Sequence, residues 1–140
     1  MGRYPKIGDI YMMQFSGRDS EQTGWRPGLV FQNNKGNRHS PNIIALPLTS
    51  AVKKTTQPTH VLIPSQGTGL LLDSMVLCEN PERMAKSRMG AYITTLSAEY
   101  MEKVAIANIY ASSAISFVNP KQLQEIWTKA VHLNVTAATR

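Results

Sequence analysis

A change of apolar period near residue 97 most constrains what this chain can fold into. Before it, apolar residues come in short runs broken by turn-forming clusters; after it, they recur every three or four residues. Gly8 to Phe15 is rich in Ile, Tyr, Met and Phe and stops at the polar loop Ser16-Gly17-Arg18-Asp19-Ser20. Gly28 to Phe31 runs into Gln32-Asn33-Asn34-Lys35-Gly36-Asn37, which reads as a loop. Asn42 to Leu48, Thr59 to Ile63 and Asp73 to Glu79 are further strand candidates, the last two separated by Pro64 to Gly69. Pro47 removes one backbone donor from its strand and predicts a sheet edge or a bend. Short strands with turns between them point to a compact antiparallel barrel or sandwich.

Beyond residue 97 the pattern is helical. Ser97 is placed to be an N-cap, with Glu99 in the first turn where the helix dipole favours an acid. Met101, Val104, Ala105 and Ile109 then mark one face. A second helix opens at Asn119-Pro120, cap followed by first-turn proline, and carries the stripe Leu123, Ile126, Trp127, Ala130 and Val131. Burial of such a stripe is what stabilises a short helix, so it is expected to pack on its own barrel or across a dimer. Strands first and helices last give an α+β class, mainly β, and 140 residues favour a single domain.

Most familiar chemistries find no support. Gly67-Thr68-Gly69 lacks the continuation of either nucleotide-binding fingerprint and reads as a turn. His39, His60 and His132 stand apart without ligand spacing, so no metal site and no cofactor is expected. Cys78, the only cysteine, cannot close an internal disulfide; inside Met75-Val76-Leu77-Cys78 it reads as a buried structural thiol rather than a nucleophile. No run is apolar enough to span a bilayer and the N-terminus lacks a signal-peptide core, so a cytoplasmic protein with no membrane partner is expected.

Charge is more informative. The net charge is +6, which favours a phosphate-bearing or acidic partner. Arg18 to Lys54 holds six of the bases (Arg18, Arg26, Lys35, Arg38, Lys53, Lys54) against Asp19 and Glu21, a local +4. Ser20, Gln22, Asn33, Asn34, Asn37, Thr49 and Ser50 lie among them, with Trp25 and His39 as stacking candidates. Cations, amides, hydroxyls and aromatics together are how single-stranded nucleic acid is held. On composition alone, a solvated basic surface with Trp25 as core filler explains the segment slightly better.

Spaced blocks then carry a resemblance. Gly8-Asp9-Ile10-Tyr11 opens the series. Ser20-Glu21-Gln22-Thr23-Gly24-Trp25-Arg26-Pro27 follows, then Leu29-Val30-Phe31-Gln32-Asn33, Gly36-Asn37-Arg38-His39-Ser40-Pro41 and Leu48-Thr49-Ser50. Pro58-Thr59-His60-Val61, Gly69-Leu70, Asp73-Ser74-Met75-Val76-Leu77 and Lys86-Ser87-Arg88 complete it. In this order the blocks resemble the MazF/PemK family of bacterial toxin endoribonucleases over roughly Gly8 to Ser113. The resemblance implies a small SH3-like antiparallel barrel with C-terminal helices, a homodimer, and a cognate antitoxin as partner. It implies metal-independent cleavage of single-stranded RNA, such as mRNA, to 2′,3′-cyclic phosphate and 5′-hydroxyl ends. Arg26 and Thr49 match the family's catalytic Arg and Thr; Ser20, Glu21 and Gln22 match its RNA-contacting loop, to which Ser50 and Asn80 are added as RNA-binding candidates.

Cleavage through a cyclic phosphate needs a proton acceptor, a proton donor and positive charge on the non-bridging oxygens. The planar, charged fork of Arg26 suits the phosphate and the donor role; Thr49 suits an oxyanion stabiliser; no residue is assigned as base. The chain departs from the family at Glu79-Asn80-Pro81-Glu82-Arg83, where Glu-Gln-Ile-Arg-Thr is common. Asn80 is shorter than Gln and Glu82 replaces Arg. That departure keeps open a catalytically silent RNA-binding module, and the fold that the resemblance implies, shared with topoisomerase poisons, keeps open a toxin aimed at a protein such as gyrase. Residues 1–117 are expected to form the barrel domain with its helix, and residues 118–140 a helical extension of it, with an antitoxin dock as a second use for its stripe.

Overall fold

The computed structural model describes residues 4–16, 23–52 and 57–138. Seven antiparallel strands form one sheet: β1 (Asp9–Ser16), β2 (Thr23–Val30), β3 (Asn42–Thr49), β4 (His60–Ile63), β5 (Ser74–Leu77), β6 (Glu82–Ala85) and β7 (Met89–Thr95). Their order is β4-β5-β3-β2-β1-β7, with β6 also paired to β3. Three helices interrupt or follow the strands: α1 (Asn34–His39), α2 (Ala98–Ala111) and α3 (Leu123–Ala138), the last reached through two 3₁₀ turns. This is the expected mainly antiparallel architecture with C-terminal helices. The sheet is not closed, because the outermost strands β4 and β7 have no pairing with each other among the described residues.

β3 organises the sheet. Its first half, Asn42 to Ala45, pairs with β6, and its end, Leu48 and Thr49, pairs with β5. Pro47 falls in the gap between the two partners while facing Gly28 of β2 on the other side. A missing N–H costs nothing where one partner hands over to the next, so Pro47 marks a hand-over inside the sheet rather than an edge.

Alternation along the strands feeds two apolar layers. Ile10, Leu29, Leu46, Leu48, Val61, Ile63 and Val76 build one, completed by Val104 and Ala107 of α2. Tyr11, Met13, Phe15, Val30, Ile43, Ala45 and Met84 build the other. Gly28 lets β2 lie flat on this second layer: a Cβ there would stand 2.5 Å from Met13 Sδ and 2.8 Å from Phe15 Cζ. Each fully buried aliphatic side chain contributes about 1.5–3 kcal/mol.

Four local expectations are corrected. Gln32 to Asn37 is not all loop, because Asn33 caps the short helix α1 by accepting from Gly36 N. Strands β6 and β7 are present although nothing in the sequence predicts them; β6 alternates around Met84 over only four residues, and β7 has Gly90, Ala91 and Tyr92 exposed in succession, so neither carries a clear apolar alternation. Ser97 occupies the N-cap of α2, yet its side chain makes no capping bond. Ile109, expected on the buried face of α2, is exposed.

The largest correction concerns the C-terminal stripe. Asn119 does open the segment with a capping box, its Oδ1 accepting from Lys121 N and Gln122 Oε1 accepting from Asn119 N. Leu123, Ile126, Trp127 and Val131 nevertheless remain exposed, as do Ile115 and Phe117 before them. The stripe does not pack on its own barrel. The helix meets the body through α1, where Asn134 Oδ1 accepts from Asn34 N at 2.9 Å.

Candidate functional site

β2 and β3 bring together residues that are 23 apart in sequence. Their register sets Gly28 opposite Pro47 and Val30 opposite Ala45. Carried two residues further, it sets Arg26 level with Thr49. Arg26 Nη1 donates to the Leu48 carbonyl at 3.5 Å, which holds the guanidinium at the end of β3. Thr49 Oγ1 accepts from Ala51 N at 3.1 Å, closing the turn that ends the strand. Accepting through a lone pair leaves the hydroxyl proton to be donated to a ligand.

Arg26, Thr49 and Ser50 line a single groove of about 570 Å³. The remaining lining is largely apolar: Met12, Trp25 and Pro27 from β1 and β2, and Leu70, Leu71 and Leu72 from the loop before β5. Arg26 with the hydroxyl residues Thr49, Ser50 and Ser74 in an otherwise apolar cleft suits a phosphate carrying organic groups.

The other expected site residues are not all gathered here. Ser20, Glu21 and Gln22 lie outside the described residues, as do Arg18, Lys53 and Lys54. Asn80 follows β5, and its backbone N donates to Leu77 O at 3.1 Å. Because β5 runs antiparallel to β3 from Met75 opposite Thr49, Asn80 has travelled back along the sheet and does not line the groove. Lys35 and Arg38 sit on α1, before the opposite end of β3, where Arg38 stacks over the Tyr4 ring at 4.8 Å. Among the described residues, Arg26 is the base of this segment that lines the groove, while Lys35 and Arg38 lie elsewhere. Trp25 is 55% exposed, so it is no core filler.

Residues of the departing stretch have structural partners. Glu79 Oε2 lies 2.8 Å from His60 Nε2. Glu82 Oε2 accepts from Ser16 N at 3.1 Å and Ser16 Oγ at 2.9 Å, with Arg88 Nη1 at 3.8 Å. These bonds tie β6 to the end of β1. Several blocks of the resemblance are likewise structural. Asp9, fully buried, accepts from Lys6 N at 2.9 Å and Thr95 Oγ1 at 2.6 Å. Buried Asn37 donates to Gln32 O and its carbonyl accepts from Lys86 Nζ, whose burial holds the ammonium below the usual lysine value.

Cys78 is fully buried, and burial, with Glu79 adding to it, pushes the thiol up to about 12. A thiol so held is a packing group and no nucleophile near neutral pH. Among the described residues no three His, Cys, Asp or Glu side chains gather into a set that could hold a metal ion. No helix among them is long and apolar enough to cross a membrane.

The Leu70–Leu72 wall is not among the residues expected at a site. Its signal in the sequence is three leucines directly after the polar turn cluster Pro64 to Gly69, too many for a solvated loop.

Residues 6–108 match the family described as the PemK-like, MazF-like toxins of type II toxin–antitoxin systems. The chain is 40% identical over 113 residues to the endoribonuclease EndoA of Bacillus subtilis (strain 168), covering 80% of this chain and 97% of that protein. It superposes on an endoribonuclease in complex with its cognate antitoxin from a mycobacterial species with a TM-score of 0.65 at 26% identity, covering 83% of this chain and 99% of that one. MazF of Deinococcus radiodurans shares the fold, with a TM-score of 0.66 at 22% identity over 78% of this chain and 96% of that one. With the family matched over most of its length, the chain belongs to the PemK-like, MazF-like toxins of type II toxin–antitoxin systems.

Proposed function

We propose that this toxin is an endoribonuclease that cleaves single-stranded RNA in the groove between β2 and the Leu70–Leu72 loop. The observation that carries the reading is the meeting of Arg26 and Thr49, from two different strands, at one cleft. The 40% identity to an endoribonuclease supports it. The guanidinium of Arg26 bonds two oxygens of the scissile phosphate and hands a proton to the departing 5′-oxygen. Thr49 donates to a non-bridging oxygen, where preorganised donors matter most as negative charge builds up. The internal 2′-hydroxyl is the nucleophile: its oxygen bonds to phosphorus as its proton passes to solvent water, the bond from phosphorus to the 5′-oxygen breaks, and Arg26 regains its proton from solvent, so the products are a 2′,3′-cyclic phosphate and a 5′-hydroxyl. Ser50, beside Thr49 on the groove, contacts the RNA backbone; Ser20, Glu21 and Gln22 contact the strand on the β1–β2 side, and Asn80 contacts it beyond the groove.

The chemistry needs no metal ion in this reading. The protein works in the cytoplasm, where mRNA is available, as a homodimer held in check by a cognate antitoxin. The relative solved with its antitoxin supports that partnership. Residues 1–117 form the catalytic domain and residues 118–140 an extension outside the chemistry.

Incubation with a long RNA in excess EDTA, followed by sequencing of 5′-hydroxyl ends, tests the proposal. Fragments sharing a short motif at their ends are expected. RNA left intact, or cleavage that magnesium restores, overturns it.

A further inference from the structure

Trp25 is the one aromatic side chain on the groove that holds Arg26, Thr49 and Ser50. Two observations make it more than an exposed apolar residue. Its indole is seated: at Gly90 of β7 a Cβ would stand 3.1 Å from Trp25 Cζ3, so only a glycine lets the ring lie across β1 onto β7 without displacement. The residue is also 55% exposed, although one edge of its ring lies against the sheet at Gly90. A large ring that is both held and open is preorganised for a ligand, because the entropy of ordering it is already spent in the fold.

The same groove is lined by Leu71, 96% exposed, and Leu72, also exposed, from the loop before β5. The loop that carries them is pinned by Ser65 N donating to Asp73 Oδ1 at 2.7 Å and by Thr68 Oγ1 donating to Pro64 O. The cleft thus combines an aromatic ring, aliphatic side chains and the cation and hydroxyl residues suited to a phosphate. A nucleotide presents the same sequence of chemistries: a flat apolar base joined through a sugar to an anion.

We propose that Trp25 and the Leu71–Leu72 rim form a subsite for one unstacked nucleobase, next to the phosphate held by Arg26. This rests on the ribonuclease reading above and adds to it where the substrate's affinity comes from. Because every base has a π face, the subsite tightens binding with little choice of sequence, and its loss weakens affinity by about tenfold or more.

The test uses full-length protein carrying Trp127→Phe, which removes the other tryptophan, on the exposed C-terminal helix. Hexadeoxynucleotides of a single base lack the 2′-hydroxyl and report binding without cleavage. Titrating them should quench the Trp25 fluorescence to saturation. Trp25→Phe should keep most of the affinity, whereas Trp25→Leu, apolar but without a π face, should lose about tenfold. An abasic sugar placed at each position in turn should weaken binding to the Trp25 protein at one position and cost the Leu variant far less there. Equal affinity of the Leu variant and the parent overturns the proposal, as does an equal abasic penalty in both. An indole that responds to an apolar peptide and to none of the hexamers overturns it in favour of a protein occupant. Loss of this subsite with RNA cleavage intact leaves the ribonuclease reading standing; absence of cleavage in any variant, parent included, removes that reading instead.

Discussion

The body of the molecule and its C-terminal helix carry equally clear apolar patterns and treat them in opposite ways. In β1 to β5, residues such as Ile10, Leu46 and Ile63 are fully buried, and the apolar layers they form hold β2 and β3 in the register that joins Arg26 to Thr49. In α3, Leu123, Ile126 and Val131 face outward and Trp127 is 63% exposed, with Phe117 just before them at 86%. Periodicity therefore reports that a face exists, and says nothing about whether the rest of the chain supplies a surface for it. A strand inside the sheet has neighbours on both edges; a helix at the end of a chain has only what the sheet has left uncovered.

The difference is widest in catalysis. Arg26→Ala and Thr49→Ala are each expected to lower single-turnover RNA cleavage by about a hundredfold or more, as loss of an oxyanion donor does. Trp127→Ser on α3 should leave the rate within twofold. A slow Trp127→Ser enzyme would show that the helix belongs to the catalytic unit and would break the contrast.

Stability should divide the same way. Leu46→Ala empties a fully buried position between β2 and β5 and is expected to cost about 2–5 kcal/mol in urea unfolding. Ile126→Ala, on the exposed stripe, should cost within about 0.5 kcal/mol for the single chain. A large loss at Ile126 that grows with protein concentration would mean that another molecule covers the stripe.

Within the body, the histidines sharpen the site assignment. His39 lies on α1 and His60 pairs with Glu79 at 2.8 Å, and neither lines the groove. Their Ala variants should cost less than about tenfold in rate, below the usual range for a positioned general acid or base. A dead His60→Ala enzyme with active Arg26→Ala would move the site to the other end of the sheet.

Burial also protects Cys78, whose thiol is pushed up to about 12. A thiol reagent at pH 8 should label it only as fast as the protein unfolds, whereas denatured protein should label at once. Rapid labelling of folded protein would mean that α2 opens away from β4.

The smallest effect concerns the Leu70–Leu72 loop. Ser65 N donates to the Asp73 carboxylate and holds its pKa below the ordinary 3.8. The folded state thus favours the charged form. Its contribution is present above the unfolded value and is lost as pH falls through the lower native one. Asp73→Asn should lower the melting temperature slightly at pH 7 and flatten its acid limb, so that the variant and the parent converge as the pH falls through the native Asp73 value.

The strands with alternating or continuous apolar runs are legible in the residue order, as are the helix starts at Ser97 and Asn119, because those signals are local. β6 and β7 are not, since Arg83, Gly90 and Ala91 break any apolar run there and the strands form only because β3 and β1 offer free edges. At the site, Arg26 and Thr49 can be named from their blocks, but residue order holds no reason for Asn80 to be left out of the groove or for Leu71 and Leu72 to line it.

By itself, the sequence determined the class of the chain, the positions of most elements and the two residues on which the chemistry is placed. Hydrogen bonds between neighbours and apolar alternation are short-range, and they are written residue by residue. Only the tertiary structure decided that Pro47 lies inside the sheet, that Trp25 is held against Gly90 with the rest of it exposed, and that α3 keeps its apolar face outward. Each of those depends on what a distant segment places alongside, and free energy of burial is a property of the pair of surfaces that meet, not of either sequence alone.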